Sequence, residues 1–210
     1  MRVAIALAAG LLTIAVGVAL TLARRPLVLV AENLPQTHHT LIMARHSAGA
    51  CQAGEVLPAG TSAVRLGLTT DIGSRVGVKV LADSRVIAEG TQRPGWRGAS
   101  VTVALPPRPR TLAPVTVCFA LTDLNSAIRM LGLATGAHVA ARAEGKALPG
   151  RMHVEYLRPG PRSWWSMLSS VSWRLGLGRA ASGTWYALLL LTLVVALVVL
   201  SSWAVLRESR

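Results

Sequence analysis

The chain has few acidic residues and lacks the common catalytic motifs. Its 210 residues include 9 Asp and Glu against 22 Lys and Arg. The acids stand singly, so the fold alone would have to assemble a catalytic carboxylate pair. The sequence contains no GxSxG elbow, no HExxH helix, no phosphate-cradling glycine loop and no CxxC pair. These absences argue against the enzyme classes that depend on such motifs, and we expect a protein without enzymatic activity.

Cysteine and histidine are also scarce. Cys51 and Cys118 are the two cysteines, and neither lies near another cysteine or a metal-type histidine spacing, which indicates one disulfide bond. Closing this 67-residue loop would stabilise the fold by about 4 kcal/mol on the loop-entropy model. Two buried free thiols are the alternative.

His38, His39 and His46 lie in a polar segment without a Cys or acid at ligand spacing, so we expect no metal site and no cofactor.

Charge is missing from both ends of the chain. Residues 3–23 form an uncharged run of 21 residues, and residues 185–206 form one of 22. About 20 apolar residues in a helix match a hydrocarbon core of roughly 30 Å, so each run is expected to form a transmembrane helix. The first run could instead be a cleaved secretory signal, because residues 21–23 offer a cleavage site. A retained signal anchor is favoured because the run exceeds the apolar core of a secretory signal, which usually spans about 7–15 residues.

The segment between the two runs is expected on the outer side of the cytoplasmic membrane. Arg24, Arg25, Arg174 and Arg179 flank the runs on the loop side, and the positive-inside rule would place them in the cytoplasm. However, a loop of about 160 residues translocates largely regardless of its charge. The two cysteines also favour an oxidising compartment. We therefore expect an extracytoplasmic central domain.

Alternating apolar residues predict short strands in this central domain. Such runs lie at 64–69, 76–80, 86–88, 101–105, 115–121, 138–143 and 152–157. Residues 82–85 are expected to form a hairpin turn, and the last two runs are expected to pair as a final hairpin. Residues 123–133 are ambiguous between a loop with a strand and a short helical turn, and residues 36–63 show no clear period. The pattern predicts a mainly β fold, an antiparallel β-sandwich that is jelly-roll-like.

Tryptophans are concentrated before the second uncharged run. Residues 163–175 are predicted to form a helix with Trp164, Leu168, Val171 and Leu175 on one face. Tryptophan rings and nearby arginines suit a bilayer interface, so we expect an interfacial amphipathic helix. A helix packed on the sandwich is the alternative. The expected membrane-interface residues are Trp164, Trp165, Leu168, Trp173, Arg174 and Trp185.

The predicted organisation has four parts. An N-terminal transmembrane helix, or signal anchor, occupies residues 1–25, and the extracytoplasmic β-sandwich domain occupies residues 26–160. The interfacial helix and a turn occupy residues 161–183, and a C-terminal transmembrane helix occupies residues 184–207.

Positive charge is the strongest clue to a partner. Residues 24–183 carry 19 basic and 8 acidic residues, a net charge of +11. Membrane lipids with anionic headgroups, or acidic envelope glycans, fit this charge better than nucleic acid, because no clustered basic helix or aromatic platform is present. Arginine enrichment from a high-GC genome is the alternative. Trp96, Arg93 and Arg97 lie in a loop between two strands and are candidate ligand contacts. The Trp96 ring could stack on a sugar or an acyl chain, or it could cap the sandwich core.

Three segments carry a resemblance to a known group of proteins. GWRGASVTVALP, VTVCFAL and EYLRPGPRSWWSMLSSVSWRLGLG, followed by a terminal apolar run, resemble the extracytoplasmic jelly-roll-like segments of actinobacterial cell-envelope membrane proteins. Some of those proteins are associated with lipid-linked sugar transferases. The resemblance covers residue 64 to the C-terminus and implies an accessory role. It transfers no active-site residue, because the catalytic acids in the first loops of such transferases have no counterpart here.

Two functions are therefore expected. In the first, a non-enzymatic membrane-anchored envelope protein uses its β-sandwich to bind a glycan or to support a partner membrane enzyme such as a glycosyltransferase. In the second, a structural subunit packs its two spans into a larger transporter or transferase complex. Small residues such as Gly10 and Gly17 in the first run would permit that close helix contact.

Overall fold

The chain divides into a β unit and a helical unit. A computed structural model describes residues 2–33, 39–44, 48–122, 127–134, 140–143, 145–174, 192–193 and 195–196. The β unit is Leu27–Pro159, and the helical unit comprises Met1–Pro26 and Gly160–Arg210.

The helical unit contains α1 (Arg2–Ala23) and α2 (Trp164–Arg174). The spacing of residues 163–175 predicted a helix in the segment that α2 occupies. The strands of the β unit, in chain order, are β1 (Leu27–Glu32), β2 (His39–Ala44), β3 (Ala48–Leu57), β4 (Ala63–Leu66), β5 (Leu68–Thr69), β6 (Arg75–Ala82), β7 (Arg85–Gln92), β8 (Val101–Ala104), β9 (Leu112–Thr122), β10 (Ile128–Ala134), β11 (Arg142–Ala143), β12 (Lys146–Ala147), β13 (Gly150–Met152) and β14 (Val154–Pro159).

These strands form three antiparallel sheets. The first sheet has the order β1-β14-β4-β8, and the third has the order β12-β11-β3-β9-β6-β7. The second sheet has the order β13-β10-β2, with β5 also paired to β10. The mainly β, antiparallel prediction is confirmed, and the arrangement is consistent with a β-sandwich.

The core is built from every second residue along the strands, whose side chains face inward. On β6, Val76, Val78 and Val80 are fully buried, whereas the residues between them are not. Val117 and Phe119 of the neighbouring β9 are buried in the same alternating way. Each such side chain contributes about 1.5–3 kcal/mol when it leaves water. The two-residue period that predicted these strands is therefore the period of the core itself.

The turn between β6 and β7 has the geometry of a two-residue hairpin. Ala82 pairs with Arg85, and Asp83 and Ser84 between them have φ of 46° and 63°. Positive φ at both central residues is the signature of a type I′ turn, whose twist matches that of the flanking strands. The predicted turn at 82–85 is confirmed.

Gly90 allows an edge of the third sheet to approach an edge of the first. Gly90 lies on β7, and a Cβ added there would overlap the backbone carbonyl of Ala104 on β8. Any larger residue would push the two strands apart. The absence of a side chain is therefore a packing requirement at this position.

Part of the strand prediction is wrong. The predicted final hairpin does not form, because β14 pairs with β1 and β4, whereas β11 pairs with β3 and β12. Local alternation identifies a strand but does not specify its partner. The segment 36–63 contains β2 and β3, which the sequence did not predict. On β3 the buried positions include the polar residues Gln52 and Glu55. The strand therefore lacks the alternating apolar pattern by which the other strands were predicted.

The structure also corrects the prediction of a transmembrane helix at each end. Among the residues that the structure describes, no helix is long and apolar enough to cross a membrane. In the second run, the described residues are limited to 192–193 and 195–196. The fold class is therefore a mainly β protein with α1 and α2, and the described residues do not support the two flanking spans.

Candidate functional site

The two cysteines form the predicted disulfide. Cys51 on β3 lies directly opposite Cys118 on β9, and the bond joins neighbouring strands of the third sheet. Because the two residues are 67 positions apart, the bond closes a long loop of the unfolded chain. The alternative of two free thiols is excluded.

The loop that carries Trp96 is fastened to a second loop of the β unit. The Trp96 indole N–H donates to the Ser74 carbonyl at 2.8 Å, and the backbone N–H of Gly73 donates to the Trp96 carbonyl at 2.7 Å. Gly73 is buried, and a Cβ added there would overlap the indole ring. Trp96 is half-buried and packs against the core. The ring therefore closes one edge of the core, as the capping alternative expects.

The two arginines beside Trp96 are exposed. Arg93 and Arg97 both point into solvent, within reach of an anionic ligand. An open groove of about 430 Å³ lies elsewhere, beside Cys118, and its lining includes Asp83 and Pro114. Neither arginine nor Trp96 lines that groove. Ligand contact by the Trp96 loop therefore remains a prediction that rests on exposed charge rather than on a cavity.

A cluster of tryptophans and arginines lies where α1 ends and α2 begins. The backbone N–H of Trp164 donates to the Arg24 carbonyl at 3.2 Å, and the Trp165 indole N–H donates to the Ala19 carbonyl at 3.3 Å. These bonds hold the start of α2 against the end of α1. Arg25 and Arg162 flank the junction and, like Arg24, are exposed. We call these five residues the helix-junction patch: Arg24, Arg25, Arg162, Trp164 and Trp165.

The patch continues into an exposed apolar surface on α1. Leu12, Ile14 and Leu20 are 66%, 65% and 63% exposed, and Trp164 and Trp165 are 43% and 44% exposed. All described α1 side chains from residue 12 to residue 20 are exposed. A helix with apolar residues on all sides needs covering by lipid or protein. The helical unit therefore presents exposed apolar residues along α1 and exposed tryptophans and arginines where α1 ends.

The other predicted interface residues are placed less completely. Leu168 is half-buried on α2. The side chains of Trp173 and Arg174, and all of Trp185, lie outside the described residues. The same holds for His38 and His46 and for the side chain of His39, which were the histidines considered as metal ligands.

A buried polar cluster that the sequence did not reveal surrounds Glu55. The Tyr156 hydroxyl donates to Glu55 Oε2 at 3.1 Å, and the Asn33 amide donates to Glu55 Oε1 at 3.0 Å. Arg151 forms an ion pair with the same carboxylate, whose side chain is 2% exposed. Burial, and then the adjacent Glu55 carboxylate, raise the pKa of Tyr156 far above its usual range. The phenol therefore keeps its proton and donates a hydrogen bond to Glu55.

The Glu55 cluster joins elements of all three sheets. Glu55 lies on β3, Arg151 on β13 and Tyr156 on β14, and Asn33 follows β1. Asn33 Oδ1 also accepts the backbone N–H of Val154 at 2.9 Å. The Glu55 side chain is 2% exposed, and its bonds tie together residues from three sheets, as in a structural cross-link. Sequence reasoning missed it because its members are up to 123 positions apart, in segments with no shared motif.

A second set of polar residues, also missed by the sequence, lies on the first sheet. Glu32, His153 and Glu155 come from β1, from the position before β14 and from β14. One ligand atom from each lies within 4.8 Å of the others. No local sequence pattern predicts this group, because Glu32 and Glu155 are 123 positions apart and become neighbours only when β1 pairs with β14.

Comparison with known proteins identifies no family. No protein-family model matches the chain. No curated protein and no solved structure shows a significant similarity to it. The resemblance to actinobacterial envelope segments therefore remains a prediction.

Proposed function

We propose that this chain is a non-enzymatic cell-envelope protein that contacts the membrane through its helical unit. Its disulfide-bonded β unit works on the oxidising side of the cytoplasmic membrane and supports a partner membrane enzyme such as a glycosyltransferase. The observation that carries the proposal is the helix-junction patch, in which exposed tryptophans and arginines adjoin the exposed apolar surface of α1.

The chemistry of the patch suits the boundary between lipid tails and headgroups. Indole rings are amphipathic and favour this boundary, so the half-exposed Trp164 and Trp165 are well placed to enter it. Arg24, Arg25 and Arg162 supply positive charge beside the rings. Each basic residue near an anionic membrane surface adds about 1 kcal/mol of attraction. Lipid is the occupant that satisfies both the apolar side chains of α1 and the arginines next to them.

The disulfide supports the assignment of a compartment. Bonds of this kind persist where thiols are not kept reduced, as outside the cytoplasmic membrane. The Cys51–Cys118 bond links β3 to β9 in the third sheet, so oxidation adds a covalent link between two strands of the β unit. The accessory role is supported by the absence of catalytic motifs in the sequence and by the buried position of the Glu55 carboxylate.

Depth-dependent fluorescence quenching tests the lipid contact. The full chain is prepared as two single-tryptophan variants, one that keeps Trp164 and one that keeps Trp96, with phenylalanine at the other tryptophan positions. Each is added to vesicles of anionic lipid that carry bromine either near the headgroup or at the chain end. We expect headgroup-proximal bromine to quench Trp164 most strongly and neither lipid to quench Trp96, which packs against the core.

Charge variants separate a specific patch from general attraction. Changing Arg24, Arg25 and Arg162 to Gln should weaken binding to anionic vesicles roughly fivefold per arginine. The matched control changes Arg93 and Arg97, which are exposed on the β unit, and should leave binding unchanged. Equal quenching of Trp164 and Trp96, or equal losses in the two arginine series, would refute the patch as the membrane contact.

The partner is tested separately. Affinity purification of the full chain from its native membranes, followed by mass spectrometry, should recover a membrane enzyme in stable stoichiometry. A second candidate, glycan binding, is favoured by the exposed Arg93 and Arg97 beside Trp96. Binding to acidic envelope glycans that Arg93→Gln and Arg97→Gln abolish, with no copurifying enzyme, would replace the partner role by the glycan role.

A further inference from the structure

The outer face of the first sheet carries a row of polar side chains at paired positions. Glu32 on β1 lies opposite Glu155 on β14, and Glu155 lies opposite Arg65 on β4. Arg65 in turn lies opposite Thr102 on β8. His153 precedes Glu155 by two residues, and its Nε2 is 3.7 Å from Glu155 Oε1. The row therefore ends in two carboxylates and an imidazole.

Hydrogen bonds orient the Glu155 carboxylate towards this end of the row. Arg65 Nη1 donates to Glu155 Oε2 at 2.8 Å, and Arg65 Nε donates to Thr102 Oγ1 at 3.2 Å. With Oε2 held by Arg65, the other oxygen of Glu155 faces His153. Partners of this kind commonly fix the direction of a metal-ligating carboxylate.

Two carboxylates face each other at this end of the row. Glu32 and Glu155 are like charges directly across a strand pair, a position where they repel each other. Arg65 forms an ion pair with Glu155, so one arginine serves two facing carboxylates. A divalent cation would bind both carboxylates and remove the repulsion.

We propose that Glu32, His153 and Glu155 form a binding site for a divalent transition metal of the Zn²⁺ class. One imidazole nitrogen and two carboxylate oxygens are ligands that Zn²⁺ accepts, whereas Ca²⁺ requires a larger set of oxygen ligands. The ligand atoms lie within 4.8 Å of one another, and the exposed Glu32 side chain closes the remaining distance by a change of rotamer. The metal would tie the end of β1 to β14.

Titration with Zn²⁺ alone tests the site. The untagged full chain is freed of metal with EDTA, exchanged into chelator-free buffer and titrated by competition with a chromophoric chelator, with Ca²⁺ in a parallel series. We expect one Zn²⁺ per chain and much weaker Ca²⁺ binding. Glu32→Gln and His153→Gln should each weaken Zn²⁺ binding by at least about tenfold. Arg65→Met, which releases the Glu155 carboxylate, should weaken it by about tenfold.

A control on other histidines keeps the test decisive. His38, His39 and His46 are near one another in sequence and could bind Zn²⁺ themselves, so all three are changed to Gln together. This triple variant should bind Zn²⁺ as the wild type does. Loss of binding in the triple variant, or wild-type affinity in Glu32→Gln, would overturn the proposal. Because Glu32 is exposed, its variant reports on binding even if His153→Gln perturbs packing against Gly67.

Discussion

Replacing Arg151 with methionine removes the cation that faces Glu55 inside the β unit. The Glu55 side chain is 2% exposed and that of Arg151 is 26% exposed, so water cannot take the place of the lost charge at Glu55. The carboxylate would keep its bonds from Tyr156 and Asn33, at 3.1 and 3.0 Å. Methionine retains much of the arginine volume, so the change tests charge more than packing.

The expected loss is large because one buried charge is left without its partner. Breaking a buried ion pair from one side typically destabilises a protein by about 3–5 kcal/mol. The urea midpoint of the full chain in mild detergent, followed by circular dichroism with EDTA present, measures this loss. Adding Glu55→Gln to Arg151→Met should restore most of it, because the double variant buries no charge.

A second arginine–glutamate pair provides the matched control. Arg65 and Glu155 are 2.8 Å apart, but their side chains are 37% and 17% exposed. Arg65→Met should therefore lower stability by no more than about 1 kcal/mol, as for partly solvated pairs. If Arg151→Met costs no more than Arg65→Met, or if the double variant is as unstable as Arg151→Met, then Glu55 is not held as a buried anion.

Three further predictions concern pH, oxidation and packing. Because the pKa of Tyr156 is raised on folding, the stabilising contribution of Tyr156 should be fully present below about pH 10 and be lost above it by about 1.4 kcal/mol per pH unit, since the unfolded chain releases a proton that the folded chain keeps. Tyr156→Phe should abolish this loss in pH-dependent urea midpoints. Changing Cys51 and Cys118 to Ala together should lower the free energy of unfolding by about 4 kcal/mol, since the bond closes a 67-residue loop. Gly73→Ala should destabilise by about 1–3 kcal/mol and shift the Trp96 emission, because the new Cβ overlaps the indole ring.

Each of these has its own control. Tyr186→Phe should leave the loss of stability above pH 10 in place, and a loss that survives Tyr156→Phe would contradict the assignment. Reductant should lower the midpoint of the wild type but not that of the double cysteine variant. Gly77→Ala is the packing control, because its Cβ would meet only the Ala120 carbonyl at 4.0 Å. Equal effects of Gly73→Ala and Gly77→Ala would show that the Trp96 ring does not need the space.

Local pattern was enough to find the strands with an apolar face. The alternation of valines in β6 and β9 and the turn residues Asp83 and Ser84 act within a few positions of one another, so the sequence alone indicates them. The two cysteines likewise left one possible intramolecular pair. The alternating pattern predicted the mainly β class, the two cysteines indicated a single disulfide, and the composition fixed the net charge of +13.

Tertiary structure decided what those strands do together. The wrong final hairpin and the unpredicted β3 share one cause, which is that pairing partners and buried polar positions depend on residues far along the chain. Uncharged runs predicted a span at each end, but among the residues that the structure describes no helix is long and apolar enough to cross a membrane. Glu55 and Arg151 are 96 positions apart, and Glu32 and Glu155 are 123 apart. Strand pairing brings these charges within a few ångströms of each other, where their interaction is strong. Residues so far apart in the chain form no local pattern that sequence analysis could recognise.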